Sequence, residues 1–310
     1  MINNHDFKWR FLHPRFWLTW LSLGCWRLLV VLPYPVLLWL GGCIGRIMFW
    51  RSRYRREVAD INLRWCFPEM EESQRQSLLR ANFISYGIAF FEIGMAWWWP
   101  TQRLNKLITF EGLEHIDGLQ GRGALLMAIH FTTLEIGASA LSARHSIDGM
   151  YRPHKNPVYD YVQSKGRRAR DPLGVVYPRE DIRGMFKALR QGRIIWYAPD
   201  QDYGRKQSVF ARFFGVPAAT VTATARFAKT GNALVLPFSQ VRLPDGRGYL
   251  IKVHPPLQDF PTGDDLADAE TVNRQVEKMI LEQPDQYMWI HRRFKTRPPG
   301  ESRPYPKSSK

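Results

Sequence analysis

Acidic residues are short in this chain, and cysteines are scarce. Against 44 Lys+Arg stand 28 Asp+Glu, a net charge of +16. An excess of that size points to an anionic partner: nucleic acid, acidic lipid, a phosphorylated substrate or an acidic protein. The three cysteines, Cys25, Cys43 and Cys66, have no metal-ligand spacing. Two lie in an apolar stretch, and all three read as reduced structural thiols, which argues against a disulfide framework or a zinc site. There is no P-loop and no dinucleotide fingerprint. Internal repeats and low-complexity blocks are also missing, so the 310 residues make one sizeable domain, or one domain with an appendage. No serine or cysteine nucleophile elbow is evident, and the chemistry has to be sought without a covalent enzyme intermediate.

What the chain has in excess is tryptophan, twelve in all, many near the N-terminus. Residues Phe16 to Trp50 are nearly all apolar, with Arg27 and Arg46 as the charges inside. The two halves, broken near Pro33-Tyr34-Pro35, predict either one kinked membrane span or two helices lying in the membrane plane. A buried hairpin of core helices is the alternative. The run is too long and too interrupted for a secretory signal. The basic exit Arg51-Ser52-Arg53-Tyr54-Arg55-Arg56 favours cytoplasmic placement against anionic headgroups. The expected organisation is an anchor over 1–50 and a catalytic domain over 51–310.

After Pro68, Leu79, Phe83, Tyr86 and Phe90 recur at helical spacing and predict a core-facing stripe. Ala96-Trp97-Trp98-Trp99-Pro100 ends it, at an interface or over a pocket. From about residue 107 strands and helices alternate. Ala124–Ile129, Ile147–Met150, Arg193–Ala198, Leu234–Phe238 and Tyr249–Val253 read as strands. Thr132–Leu141, Asp181–Leu189, Thr220–Lys229 and Asp264–Leu281 read as helices. Alternation of this kind predicts an α/β layered fold with a largely parallel sheet, whose sites gather at the carboxyl ends of strands.

At one such end stands His130, followed five residues later by Glu135. On one regular helix residues five apart point about 140° from each other, so the pair meets only if His130 sits on the turn and Glu135 in the first turn of the next helix. Thr132 or Thr133 would cap that helix. An acid behind a turn-mounted imidazole fixes its tautomer and supports the imidazolium, which is the apparatus for activating a hydroxyl. The spacing by itself is weak, since the composition gives about 0.7 such pairs by chance. A second match, His254 with Asp259, runs into Pro255-Pro256, which predicts an extended exit and a structural histidine. Arg152 follows a second strand and suits a phosphate or a developing oxyanion; a backbone amide after His130 is the alternative. Asp200 and Asp202 follow a third strand. They fit metal ligands of a nucleotide-sugar glycosyltransferase, groups that position cations or a hydroxyl, or a turn built around Asp200 and Gly204. Near the C-terminus His291, Arg292, Arg293, Lys295 and Arg297 interleave with aromatics, a pattern for nucleic acid, for a phosphorylated headgroup, or for a solvated tail.

Longer segments carry a resemblance: Leu12-His13-Pro14-Arg15-Phe16-Trp17-Leu18-Thr19-Trp20, Leu32-Pro33-Tyr34-Pro35, Cys66-Phe67-Pro68, Glu92-Ile93-Gly94-Met95-Ala96-Trp97, His130 to Glu135, Tyr151-Arg152-Pro153, Trp196 to Gly204 and Gln286 to Pro298. In these the chain resembles the late acyltransferases of lipid A biosynthesis, the Kdo2-lipid IVA lauroyl or palmitoleoyl transferases. The resemblance implies a glycerophosphate-acyltransferase-like fold and an enzyme on the cytoplasmic face of the bacterial inner membrane. The donor would be an acyl carrier protein thioester. The acceptor would be the 3-hydroxyl of an acyl chain on a phosphorylated, Kdo-bearing glucosamine disaccharide. It implies no cofactor, no metal and no nucleic-acid partner. His130 would be the general base and Glu135 its orienting partner, with Arg152 and Asp200 in the catalytic set. Arg167, Asp202, Arg292, Arg293 and Lys295 would bind substrate, and the apolar loop Val209 to Pro217 would cover an acyl chain. The family pattern of Gly-Arg followed closely by Arg-Ser-Asn-Lys is replaced here by Gly166-Arg167-Arg168-Ala169-Arg170-Asp171-Pro172, which puts substrate contacts in that loop in question. Two rival classes are a metal-dependent membrane glycosyltransferase using Asp200 and Asp202, and a non-catalytic basic protein that binds anionic lipid or nucleic acid.

Overall fold

A computed structural model describes residues 6–151, 153–178 and 181–306. The elements run α1 (Trp17–Leu29), α2 (Tyr34–Arg51), α3 (Arg53–Cys66), α4 (Glu72–Trp98), α5 (Thr101–Asn105), β1 (Ile108–Glu111), α6 (Glu114–Asp117), β2 (Ala124–Ala128), α7 (Leu134–Ser142) and β3 (Ile147–Tyr151). They continue α8 (Pro157–Arg168), β4 (Val176–Pro178), α9 (Ile182–Arg190), β5 (Ile194–Tyr197), β6 (Ser208–Phe213), β7 (Val216–Val221), α10 (Ala223–Gly231), β8 (Leu234–Arg242), β9 (Tyr249–Val253) and α11 (Asp265–Glu282).

Seven strands form one sheet in the order β1-β9-β8-β2-β5-β3-β4. Neighbours are parallel except β8 and β9. The central strand β2 is an unbroken apolar run buried at every position, as a strand covered on both faces should be. Its side chains alternate between two cores. Ala124, Leu126 and Ala128 join α1, α2, the end of α4, α7 and α8 on one side. Leu125 and Met127 join α3, the start of α4, α9, α10 and α11 on the other. The α/β class and the largely parallel sheet are therefore as the alternation implied.

The N-terminal helices differ from one of the two expected arrangements. No helix among the described residues is long and apolar enough to cross a membrane. The chain breaks at Pro33-Tyr34-Pro35, where Pro33 is the N-cap of α2 and Pro35 sits in its first turn. The thirteen residues of α1 reach only about 20 Å. Much of α2 is committed to protein. Gly41 and Gly45 lie so close to Ile84, Gly87 and Ile88 of α4 that a methyl group at either would strike backbone. The two helices share a core with the sheet through Leu23, Trp26, Val30 and Leu37. Their other faces leave Trp17, Leu18, Leu21, Leu28, Trp39, Ile47 and Trp50 exposed.

Two further differences are local. The predicted stripe on α4 holds for Leu79 and Phe83, which are buried, whereas Phe90 is 41% exposed and stacks on Trp26. Val209 to Pro217, expected as an apolar loop, is a β-hairpin: β6 and β7 pair antiparallel across Phe214-Gly215. Both turn residues have positive φ, +48° and +77°, the conformation that two-residue hairpin turns demand.

Candidate active site

The site begins with strand register. In the parallel pair β2–β5, Met127 lies opposite Tyr197. His130 and Asp200 each follow three residues later, so continuing the register beyond both strands brings them side by side. Asp200 accepts from the His130 backbone N–H at 3.0 Å with Oδ2, and its Oδ1 is 2.6 Å from His130 Nδ1. The carboxylate is 1% exposed and the imidazole 21%. Burial pushes the His130 pKa down, but the adjacent Asp200 charge and hydrogen bond more than offset this, and the imidazole lies above its ordinary value. For Asp200 burial pushes upward, the imidazole pushes downward more strongly, and the carboxyl lies below its ordinary value. With Nδ1 committed to Asp200, Nε2 is the nitrogen left for a hydroxyl.

The turn carrying His130 is held on three sides. Met288 N–H donates to His130 O at 3.0 Å, and Thr132 N–H donates to Gln286 O at 2.8 Å. Asn82 on α4 donates to the carbonyls of Asp285 and Tyr287 at 2.7 and 2.8 Å, fixing that C-terminal strap. From β8, Gln240 Nε2 donates to Ile129 O at 3.0 Å, while Thr133 Oγ1 donates to Gln240 O at 2.6 Å. Eight backbone groups of the turn, the strap and β8 are thereby satisfied inside the protein, the condition for a rigid turn. The amide after His130 is also engaged, donating to Ile129 O at 2.9 Å.

Glu135 does fall in the first turn of α7, with Thr133 at the N-cap position, but it does not orient the imidazole. That place belongs to Asp200. Glu135 instead accepts from Trp97 Nε1 at 3.0 Å and forms a two-point ion pair with Arg167 of α8. Burial works to raise its pKa, and the Arg167 charge together with these hydrogen bonds holds it below the usual carboxylate range. The reason for the difference is register: five residues along the chain carry Glu135 around the helix start towards α8, while Asp200 arrives from the neighbouring strand.

His130, Glu135, Trp97, Arg167, Trp196 and Phe227 all line one cavity of about 660 Å³. Its walls include the small residues Ala138, Ser142 and Gly149, and Lys206, Arg168 and Arg226 at its edge are exposed. Apolar walls with a few convergent polar groups are the usual form of a small-molecule site.

The remaining sequence candidates divide. Arg152 lies outside the described residues. Asp202 is buried and accepts from Gly204 N–H at 2.8 Å, Thr296 N–H at 2.8 Å and Thr296 Oγ1 at 2.9 Å, so it ties the C-terminal segment down. His291 Nε2 accepts from Asp202 N–H at 3.3 Å, and burial first of all pushes the His291 pKa down to about 4. Arg293 is a correction to the expected ligand set. It is 2% exposed, donates to Ala219 O at 2.8 Å and Thr220 Oγ1 at 3.0 Å, and lies over the Phe213 ring. Arg292 is exposed and Lys295 half-buried, and neither lines the cavity. A metal pair at Asp200 and Asp202 is not built: both carboxylates are spent, and the described residues hold no group of three metal-ligating side chains. His254 is structural, with Nε2 3.0 Å from Ser239 Oγ. Sequence reasoning missed Gln240, Asn82 and Gly149. The first two are polar residues amid apolar runs, a weak signal; for Gly149 there was none beyond a glycine inside a strand.

A family profile described as bacterial lipid A biosynthesis acyltransferase matches residues 4–296. The chain belongs to this family of bacterial lipid A biosynthesis acyltransferases. It is 44% identical over 303 residues to the lipid A biosynthesis lauroyltransferase of Escherichia coli K12, spanning 97% of this chain and 98% of that protein. It is 41% identical over 308 residues to the lipid A biosynthesis palmitoleoyltransferase of the same organism, spanning 98% and 100%. Among solved structures, the 1-acyl-sn-glycerophosphate acyltransferase PlsC of Thermotoga maritima superposes with a TM-score of 0.38 at 16% identity, over 81% of this chain and 97% of that one. As a lipid A biosynthesis acyltransferase the chain is an enzyme.

Proposed function

We propose that the chain transfers a lauroyl group from an acyl carrier protein thioester to the 3-hydroxyl of an acyl chain on Kdo2-lipid IVA. The observation that carries this is the His130–Asp200 pair at an apolar cavity. Asp200 holds the Nδ1 proton, so Nε2 takes the proton of the acceptor hydroxyl. The oxygen attacks the thioester carbonyl and a tetrahedral oxyanion forms. The carbon–sulfur bond then breaks, and the imidazolium returns its proton to the thiolate. Base catalysis of this sort is worth about 10²–10⁴-fold, and positioning of the two apolar chains supplies much of the rest. Arg152, and the cavity-edge cations Lys206 and Arg226, are the groups to balance oxyanion and phosphate charge. Lauroyl is preferred over palmitoleoyl on the slightly higher identity to the lauroyltransferase.

In this reading residues 1–50 anchor the enzyme on the cytoplasmic face of the inner membrane, and 51–310 carry the chemistry. The exposed apolar faces of α1 and α2, flanked by Arg10, Arg15, Arg27, Arg46 and Arg51, support a helical pair lying in the interface plane.

The test is acyl transfer by the detergent-solubilised protein, with Kdo2-lipid IVA and a panel of carrier-protein thioesters in EDTA, read by mass spectrometry. One added lauroyl chain is expected, lost in His130→Ala. Transfer that survives that substitution, or requires a divalent ion, would refute the mechanism.

A further inference from the structure

The carrier protein must present its thioester to the cavity from some side of the molecule. We infer that the outer faces of α9 and α10 are the surface on which it docks; the inference rests on the acyl-transfer reading above.

On α9 the exposed side chains include Arg183, Lys187 and Arg190, at intervals of four and three residues, so they form one stripe. On α10 the exposed Arg226 and Lys229 are three residues apart. The helices pack together, with the Phe186 and Phe227 rings 5.5 Å apart, which joins the two stripes into one field. A hollow of about 330 Å³ lies along α9 between Arg183, Phe186, Lys187 and Arg190.

Three observations give this field its meaning. First, it is uncompensated. Neither helix contains an acid, and the N-cap Asp181 of α9 is spent on the Gly184 N–H at 2.9 Å. None of the five cations forms an ion pair among the described residues. Arg167, Arg193 and Arg242 are paired with Glu135, Asp148 and Glu92, whereas Arg27, Arg46 and Arg51, without an ion pair among the described residues, stand among the exposed apolar side chains of α1 and α2. Second, it borders the cavity: Ile182, Arg226 and Phe227 belong to both, and Lys206 lies at the same edge. Third, it carries no exposed large apolar side chain; those concentrate between Phe7 and Trp50.

A lipid surface would call for apolar anchors among the cations, and the α1–α2 face has them while this one does not. A lone phosphate needs only two or three converging donors. The α9 stripe instead runs about 10 Å along a helix and continues onto a second one, a dimension that fits a row of carboxylates on an acidic protein. Complementary fields of this type speed encounter and fix orientation more than they add affinity.

The test uses Arg183→Glu, Lys187→Glu and Lys229→Glu in one variant, all exposed and none lining the cavity. Two lauroyl donors are compared on the same acceptor: lauroyl carrier protein and lauroyl-pantetheine. At low salt, kcat/KM with the carrier-protein donor should fall at least tenfold, and most of the wild-type salt sensitivity should vanish. The pantetheine donor should be used as well as by wild type, which also reports an intact fold. Carrier-protein binding measured by fluorescence anisotropy should weaken in parallel. An equal fall with both donors, or none with the carrier protein, overturns the docking surface. A wild-type enzyme that uses neither donor overturns the acyl-transfer reading instead.

Discussion

At the scale of single residues, the dyad owes its properties to Asp200. Asp200 raises the His130 pKa above the ordinary imidazole value of 6.5. As the proposed base, His130 would act as the neutral imidazole, so kcat/KM should climb with pH through an apparent pKa above 6.5. In Asp200→Asn the charge is gone and burial alone acts on the ring. The acid limb should then move below 6.5, while the plateau drops about 10²–10⁴-fold because the Nδ1 proton is no longer held. A pH–rate profile of both proteins decides it, and an unmoved acid limb would show that another group titrates. The stability contributions follow the same signs. The raised imidazole stabilises the fold below its ordinary pKa, and that is lost as pH rises through the folded value. The depressed carboxylate does so above its ordinary pKa, and that is lost as pH falls through the folded value. Gly149 makes a different prediction. It lines the cavity from β3, and a methyl placed on it would meet nothing within 4 Å. Gly149→Val should shorten the space for an acyl chain and leave methylenes in water, each worth about 0.8 kcal/mol or about fourfold in rate. Competition between decanoyl and lauroyl donors should therefore turn towards decanoyl; an unchanged ratio would place the acyl chain elsewhere. Both residues show what sequence could and could not disclose. Asp200 was recognisable as a strand-end acid, but its pairing with His130 depends on the alignment of two strands 70 positions apart, and linear spacing carries no trace of that. Arg293 illustrates the opposite error. A cation among aromatics looks the same whether it awaits a ligand or fills the interior over Phe213.

At the scale of elements, the patterns that survived were the strong ones. β9 matches its predicted limits, Tyr249–Val253, because Ile251 and its neighbours alternate cleanly between buried and half-buried. α11 came within a residue or so at each end, its apolar stripe bounded by the Asp264 cap and Pro284. β4 spans three residues and is half-buried throughout, too short for a periodic signal. The β6–β7 hairpin hid because its turn uses Phe214 where Asn or Asp would have announced it. The helices α1 and α2 gave away their apolar character but not its division between core and surface. That division is testable. Trp39 and Trp50 are 65% and 78% exposed, and a large apolar side chain moved out of water is worth about 1.5–3 kcal/mol. Trp39→Glu with Trp50→Glu should cut sedimentation with anionic phospholipid vesicles at least tenfold while leaving the melting temperature nearly unchanged. Undiminished sedimentation would remove this face from the membrane contact.

At the scale of the whole molecule, the apolar face and the cation field of α9 and α10 lie on opposite sides of the sheet. The exposed tryptophans and leucines gather on the N-terminal helices, a field of cations without exposed apolar side chains lies on α9 and α10, and the cavity borders the second group. An enzyme of the proposed kind, with its acceptor in lipid and its donor in water, would need two such unlike faces. The net charge of +16 advertised an anionic partner without saying how many or where. The strap from Gln286 to Met288 has a further consequence, one of time. Its carbonyl and amide hold the turn bearing His130, with Asn82 gripping the strap from behind. These residues follow His130 by more than 150 positions, so they leave the ribosome long after it. A nascent chain can therefore bring β2 and β5 together and still own an unfastened imidazole, until the strap emerges and docks behind it.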